Sequence, residues 1–251
     1  MRGSSLRFER GPVLRLREPV TVRQSPVKNS QGGAEELKQK EVLEKVWEPK
    51  RLHATWRQVK KNAGAAGIDR MTVKEFERRK RELMRIIWLK LKSGKYRFKS
   101  ARRVLIPNEG STKKRKLGIP VVIDRIVAQS IHTVFEEIFD PEFTENNFGF
   151  RRGKSQHQAI EYVRDRVVEG YSWCASIDLK SFFDEIPHDL ILKLIRRKIA
   201  DKGLVTLVAR ALKAGVVVDG KFEKTIKGCP PGITALTHVI EHSAKRDGPG
   251  A

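Results

Sequence analysis

Apolar residues recur at helical spacing along much of the chain. Between residues 34 and 61 this pattern predicts two short helices that are separated at Pro49. Thr72 and Glu75 form a capping-box pair, which predicts a helix from that point to about Ser93. Asp124 and Ser155 are predicted to begin further helices. The remaining pattern predicts helices over 124–139, 155–170, 187–195, with Pro187 as first helical residue, and 204–213.

Period-two alternation predicts the strands. Residues 102–107 and 117–120 are predicted to pair as a hairpin, joined by a polar, basic connection over 108–116. A second hairpin is predicted over 216–223, with the turn at Asp219-Gly220. Alternation over 173–179 predicts a strand that turns Asp178 away from its apolar face. Helices and short strands mix without regular βαβ alternation, which favours an α+β fold.

The charge balance indicates a polyanionic partner. The 251 residues contain 52 Lys and Arg against 30 Asp and Glu, a formal net charge of +22. Nucleic acid is the expected partner, with a ribosome-associated or merely solvated basic protein as the alternative, and charge does not choose between RNA and DNA. Residues 1–33 show no periodicity and several Pro and Gly, so we expect a disordered basic arm there.

Cysteine usage and hydropathy bear on the cellular compartment. Cys174 and Cys229 are far apart and form no metal-ligand pattern, so we expect reduced thiols and a cytoplasmic protein. No apolar run approaches the roughly 18 to 20 residues of a membrane helix. The first 30 residues carry Arg and Pro where a signal peptide would have its apolar stretch, so secretion is not expected.

Asp178 is the residue whose surroundings indicate chemistry. It ends the predicted strand and is followed by Phe182 and Phe183. A carboxylate in this position suits Mg²⁺, because hard cations take oxygen ligands. An Asp beside two Phe also occurs at ordinary strand ends, so this pattern alone leaves both interpretations open. The pairs at 136–137 and 184–185, and the histidines at 157 and 188, are interpreted as structural or surface residues.

Four sequence blocks follow one another in a family order. They are NAGAAGID at 62–69, the first hairpin with Leu-Gly-Ile-Pro and Asp-Arg-Ile-Val to 127, FGFRRGKS at 148–155, and SIDLKSFFDEIPH at 176–188. This series resembles the group II intron-encoded reverse transcriptases and maturases and related bacterial enzymes. Arg152 replaces a usual proline and Asn108 a usual lysine, so one nucleotide contact of the family is in question.

The resemblance implies a fold, an activity and partners. The fold would be the fingers and an incomplete palm of a right-hand polymerase, and the activity would be RNA-directed DNA polymerisation. Implied partners are intron RNA, an RNA template with a DNA primer, dNTP and Mg²⁺, in a bacterial cytoplasm. The expected domains are the arm over 1–33, an N-terminal extension and fingers over 34–172, a partial palm with the Asp178 motif over 173–228, and an aberrant tail over 229–251.

The resemblance also assigns roles by position. Asp178 is the expected catalytic residue and holds the metal ions, with Leu179 beside it in the metal site. Phe183 is the expected gate against the ribose 2′-hydroxyl, and Arg115 with Lys114 is expected at the nucleotide triphosphate. A solvated basic turn remains the alternative for the lysines. The expected RNA-binding residues are Arg102, Arg103, Lys113, Lys116, Arg151, Arg152 and Lys154.

The family pattern is lost after Gly228. Pro231 stands where the family has a glutamine, and no Tyr-x-Asp-Asp sequence occurs in the 251 residues. We therefore expect a truncated and inactive fragment, because one carboxylate motif does not complete a two-metal site. A frameshift, a premature stop and genuine divergence all remain open. The alternatives in function are a non-catalytic intron RNA-binding module and a pseudogene product without function.

Overall fold

The computed structural model describes residues 38–108, 111–149, 151–173 and 182–229. Three predicted features therefore lie outside the described residues. They are the basic arm over 1–33, the strand that carries Asp178 and Leu179, and the tail beyond Cys229.

The N-terminal helices follow the capping signals. Helix α1 spans Val42–Trp47 and α2 spans Pro49–Asn62, which confirms the break at Pro49. Helix α3 spans Val73–Arg78 and begins at the predicted capping box, with the Thr72 N–H donating to the Glu75 carboxylate at 2.6 Å. The prediction of one helix to Ser93 is wrong, because the backbone leaves helical geometry at Arg79 and α4 spans Lys80–Lys92.

Helix α5, Val122–Phe139, is the centre of the core. It packs against α1, α2 and α4, and its apolar residues at 126, 127, 131, 134 and 135 are fully buried. Ser130 donates a hydrogen bond of 2.6 Å to the Val46 carbonyl, which joins α5 to α1. A 3₁₀ turn, Asp140–Glu142, ends the helix where the Asp-Pro pair predicts.

Asp124 is buried inside the first turn of α5 and does not open the helix, which begins two residues earlier. Its carboxylate accepts the Tyr96 hydroxyl at 2.6 Å and the Lys99 N–H at 2.8 Å. Burial raises the pKa of Asp124 to about 6. The carboxyl thus ties α5 to the segment that leads into the sheet.

The sheet has four strands in the order β2-β1-β3-β4. Strands β1 (Ala101–Asn108) and β2 (Ser111–Ile119) form the first hairpin, and β3 (Val216–Val218) and β4 (Lys221–Glu223) form the second, at the predicted Asp219-Gly220 turn. Strands β1 and β3 pair in parallel over two residues. The predicted connection over 108–116 is wrong in extent, because residues 111–116 belong to β2.

Four more helices complete the described part of the chain. Helix α6 (Gln156–Val168) begins at the predicted Ser155 capping box but buries none of its residues. Pro187 precedes α8 as its N-cap and is not its first helical residue. No helix of the described residues is long and apolar enough to cross a membrane. The other helices are α7 (Phe182–Glu185), α8 (His188–Lys198) and α9 (Lys202–Leu212).

Candidate nucleic-acid interface

A cleft of about 450 Å³ opens beside the first hairpin. Its lining includes Arg103 of β1 and Lys116 of β2, together with Asp184 and Glu185. The second hairpin and the segment that follows it also line the cleft. These lining residues include Gly215, Val216, Glu223, Lys224, Lys227 and Gly228.

The strand register explains why the cations share one face. Arg103 lies opposite Gly118, and Leu105 opposite Lys116, so Arg103 and Lys116 belong to neighbouring pairs on the same face. Lys114 is two residues from Lys116 and is exposed on that face. The register sets Arg115 opposite Ile106. The hairpin therefore presents a row of positive charge beside the cleft.

The segment after the Asp178 motif is clamped to residues 227–228. The Gly228 N–H donates to the Ile186 carbonyl at 2.8 Å, and the His188 ring donates through Nε2 to the Gly228 carbonyl at 3.0 Å. Lys227 forms an ion pair with Glu185. Burial lowers the pKa of His188, and the contact with the Gly228 carbonyl requires a proton on Nε2, because a carbonyl oxygen only accepts.

Glycine is required at position 228 in this clamp. Its φ is +86°, and a Cβ there would lie 2.9 Å from the Asp184 carbonyl oxygen. The close approach places residues 182–186, which follow the predicted Asp178 strand, directly against the last residues that fit the family pattern. His188 has the structural role expected for it, as a hydrogen-bond donor to this glycine.

Two arginines hold the 63–66 segment against the base of the hairpin. Arg102 donates to the Ala66 carbonyl through Nε at 3.2 Å and Nη2 at 2.8 Å. Arg125 donates to the carbonyls of Ala63, Ala65 and Pro120. The guanidinium of Arg102, a predicted RNA-binding group, is thus engaged within the protein. The role of Arg125 was not predicted, although its place beside Asp124 in the Asp-Arg block was a signal.

The predicted cations after Gly149 have different surroundings. Arg151 forks onto the Asp140 carboxylate at 2.8 and 3.1 Å and its side chain is only 11% exposed. Lys154 donates to the Glu145 carbonyl at 3.1 Å. Arg152 is exposed. Contact with RNA stays a prediction for all three, and Arg152 is the one whose charge is presented outward.

The predicted metal site lies outside the described residues, as do the side chains of Lys113, Arg115 and Phe183. The backbone places Lys113 and Arg115 in β2 and Phe183 in α7. Within the described ranges, no group of three or more His, Cys, Asp or Glu residues could hold a metal ion. Glu185 is occupied by its ion pair with Lys227, which agrees with a structural interpretation of that acidic pair.

Residues 106–235 match the reverse transcriptase (RNA-dependent DNA polymerase) family. This chain belongs to that family. It is 35% identical over 176 residues to protein YkfC of Escherichia coli K12, covering 68% of this chain and 46% of YkfC. It is 34% identical over 142 residues to the group II intron-encoded protein LtrA of Lactococcus lactis subsp. cremoris, covering 57% of this chain and 24% of LtrA.

A solved structure shows the same fold. A chain of a structure titled partial Cas6-RT-Cas1–Cas2 complex superposes with a TM-score of 0.52 at 16% identity, covering 82% of this chain and 34% of that one. The predicted α+β reverse transcriptase fold and the resemblance to group II intron reverse transcriptases are confirmed. The chain spans less than half the length of these relatives. Divalent metal ions and nucleic acid are the cofactor and partner classes of the family.

Proposed function

We propose that this chain functions as a group II intron reverse transcriptase/maturase and that it forms the fingers and the first part of the palm. The observation that carries the proposal is the shared cleft. The cationic face of the hairpin and the segment that follows the Asp178 motif line the same cavity. Family membership and the intron-encoded relative support RNA-directed DNA synthesis as the reaction.

The proposed partners are intron RNA, an RNA template with a DNA primer, and dNTP. Asp178 would offer a carboxylate and Leu179 a main-chain carbonyl to Mg²⁺, and both are the oxygen ligands that this ion prefers. Magnesium, when bound, stabilises charge on the attacking and leaving oxygens of nucleotidyl transfer.

The chain's own residues would position the nucleic acid. Arg103 and Lys116 share one face of the hairpin and line the cleft, where they can neutralise phosphates. Lys114, farther along β2 on the same face, would meet the nucleotide triphosphate, and Phe183 would restrict the space for a ribose 2′-hydroxyl. Arg115 occupies the alternate position of the strand, opposite Ile106, so the register does not support the same contact for Arg115. These contacts require no base recognition, as suits an enzyme that copies any template sequence.

Binding of a labelled RNA-template/DNA-primer duplex tests this proposal. The double variant Lys114→Ala/Lys116→Ala should weaken binding. The slope of log affinity against log salt concentration should become smaller by about one to two, because up to two phosphate contacts are lost. The matched control is Lys193→Ala/Lys202→Ala, which removes two exposed charges from helices away from the cleft. Equal effects of the two double variants would refute a role for the hairpin face.

A non-catalytic role in holding intron RNA is the second candidate. It is favoured by the row of positive charge on the hairpin, which can neutralise RNA phosphates whether or not DNA is made. Competition binding separates the two candidates. An RNA-template/DNA-primer duplex should compete best for the chain if the first holds, and a structured RNA should compete better than a duplex of equal length if the second holds.

A further inference from the structure

A second groove, of about 800 Å³, runs between α2 and α5 and shares no lining residue with the cleft. All of its lining residues except Ala54 have polar or charged side chains. We call it the α2–α5 groove. It is lined by Glu48, Lys50, Arg51, Ala54, Thr55, Arg57, Gln58, Lys61, Gln129, His132, Thr133, Glu136, Arg151 and Arg152.

The charge of the groove is strongly positive and only partly compensated. Six Lys or Arg residues line it against two Glu residues. Arg51 is held by the Glu137 carboxylate at 2.8 and 3.1 Å, and Arg151 by Asp140. The remaining four are exposed, and their side chains make no hydrogen bond or ion pair within the described part of the chain. They are Lys50, Arg57, Lys61 and Arg152.

Three of these cations form one line along α2. Lys50, Arg57 and Lys61 are at positions i, i+7 and i+11, which fall within about 20° of a common line and span roughly 16 Å of helix. The buried residues of the same helix, including Leu52, Trp56 and Val59, fix its orientation in the core. The charges are therefore presented by a rigid element.

A solvated helix surface ordinarily mixes charges of both signs. Helix α2 contains five Lys or Arg residues and no Asp or Glu at all. The row of like charges costs stability in the free protein, since like-charged neighbours on a helix repel. A polyanion lying in the groove would remove that repulsion.

The lining also indicates which polyanion fits. Single-stranded sites stack bases on aromatic side chains, and no aromatic ring other than the His132 imidazole lines this groove. Protein partners need apolar anchors, which are equally missing from the lining. The amides of Gln58 and Gln129 and the hydroxyl of Thr133 can bond ribose 2′-hydroxyls. A lining of cations, amides and hydroxyls with few aromatic rings therefore favours the sugar-phosphate backbone of a double helix over unpaired bases.

We infer that the α2–α5 groove binds the sugar-phosphate backbone of double-helical RNA. This inference rests on the proposed function for the presence of an RNA partner, but it uses a different surface from the polymerase cleft. The protein would hold a structured RNA helix in the groove while template and primer occupy the cleft.

The test compares two triple variants of the 251-residue chain. Lys50→Ala/Arg57→Ala/Lys61→Ala removes the row on α2, and Lys193→Ala/Arg196→Ala/Lys202→Ala removes the same charge from α8 and α9. Three probes of equal length are titrated over a range of salt: an RNA hairpin duplex, a DNA duplex of the same sequence, and an unpaired RNA. Circular dichroism melts confirm that each variant is folded.

The groove variant should bind the RNA duplex about tenfold or more weakly at ~0.1 M salt, with a salt slope reduced by about 2 to 3. The α8–α9 variant should change affinity by less than about twofold. Equal losses in both variants, or an equal loss for all three probes, would overturn the inference and leave only general attraction to net charge.

The cleft variants decide the proposed function separately. If Lys114→Ala/Lys116→Ala weakens template-primer binding while the groove variant leaves RNA duplex binding unchanged, the groove inference fails and the proposed function stands. If the groove variant alone has an effect, the cleft assignment fails and the groove remains an RNA site.

Discussion

The Tyr96 hydroxyl donates a 2.6 Å hydrogen bond to the buried carboxyl group of Asp124. Tyr96 lies just before β1 and Asp124 in the first turn of α5, so this contact joins the root of the hairpin to the central helix. Because Asp124 is buried in the folded state, the free energy of unfolding depends on whether this carboxyl group is protonated.

Asp124→Asn should change how stability depends on pH. Burial raises the folded pKa to about 6, above the ordinary value of 3.8, so the folded state retains a proton that the unfolded state has lost between these pH values. The wild type should therefore lose up to about 3 kcal/mol relative to the Asn variant as pH rises from 4 to 6. Urea unfolding at several pH values measures this difference. Asp189→Asn, at an exposed position, is the control, and parallel curves for wild type and Asp124→Asn would contradict the prediction.

His188→Ala should release the clamp on residues 227–228. The change removes the donor to the Gly228 carbonyl and leaves that buried acceptor without a partner, a loss of about 1–3 kcal/mol. Thermal melting gives the magnitude, and hydrogen exchange should show faster exchange at the Gly228 amide. His157→Ala, on exposed α6, should leave both quantities unchanged. Unaltered exchange at Gly228 would show that the ring does not hold this segment.

Gly67→Ala should destabilise the join between the 63–66 segment and α5. A Cβ at this glycine would lie 2.7 Å from the backbone of Val121, and neither backbone can move without disturbing the Arg125 contacts. The expected loss is about 1–3 kcal/mol in the free energy of unfolding. Gly149→Ala is the matched change, since its nearest atom would be 3.8 Å away. Equal melting of both variants would argue against this close packing.

The purified 251-residue chain should bind template and primer without extending the primer. One carboxylate motif supplies too few ligands to fix two metal ions, so in-line transfer should be lost. Extension of a DNA primer on an RNA template with Mg²⁺ measures this, with an active reverse transcriptase as positive control. Metal-dependent product that disappears in Asp178→Asn would prove the prediction wrong.

Polar substitutions on α6 should reduce aggregation without loss of stability. Ile160, Val163 and Val167 are 65%, 56% and 62% exposed, and they form one apolar face along the helix. Ile160→Lys/Val167→Lys should lower light scattering and shift unfolding by no more than about 0.5 kcal/mol. Ile131→Lys, in the core of α5, should instead abolish folding. A large destabilisation by the α6 pair would show that this face is covered in the folded chain.

Local signals in the sequence predicted the starts of α2, α3 and α6 and the presence of both hairpins. The capping boxes at Thr72 and Ser155 and the turn at Asp219-Gly220 depend only on neighbouring residues, which a sequence displays directly. The break at Arg79 was missed, because no Pro or Gly marks it. The length of the first hairpin was missed because charged residues of an exposed strand resemble those of a loop.

The sequence could not predict which side chains form hydrogen bonds with residues distant along the chain. Arg102 and Arg151 were predicted to meet RNA, but their guanidiniums bond Ala66 and Asp140 within the protein. Every residue has a main-chain carbonyl, so the sequence does not distinguish an arginine that donates to a carbonyl from one that binds phosphate. The row on α2 was visible as charge, but its groove required the position of α5.

The first hairpin is joined to the rest of the sheet only at its base. Strand β1 pairs with β3 only at Ala101 and Arg102, whereas its pairing with β2 continues outward to Asn108. The outer half of the hairpin is therefore anchored through Arg102, whose guanidinium donates to the Ala66 carbonyl. Lys114 and Lys116 lie on one continuous strand beyond this anchor, so any displacement of the outer half would move both charges together relative to the cleft.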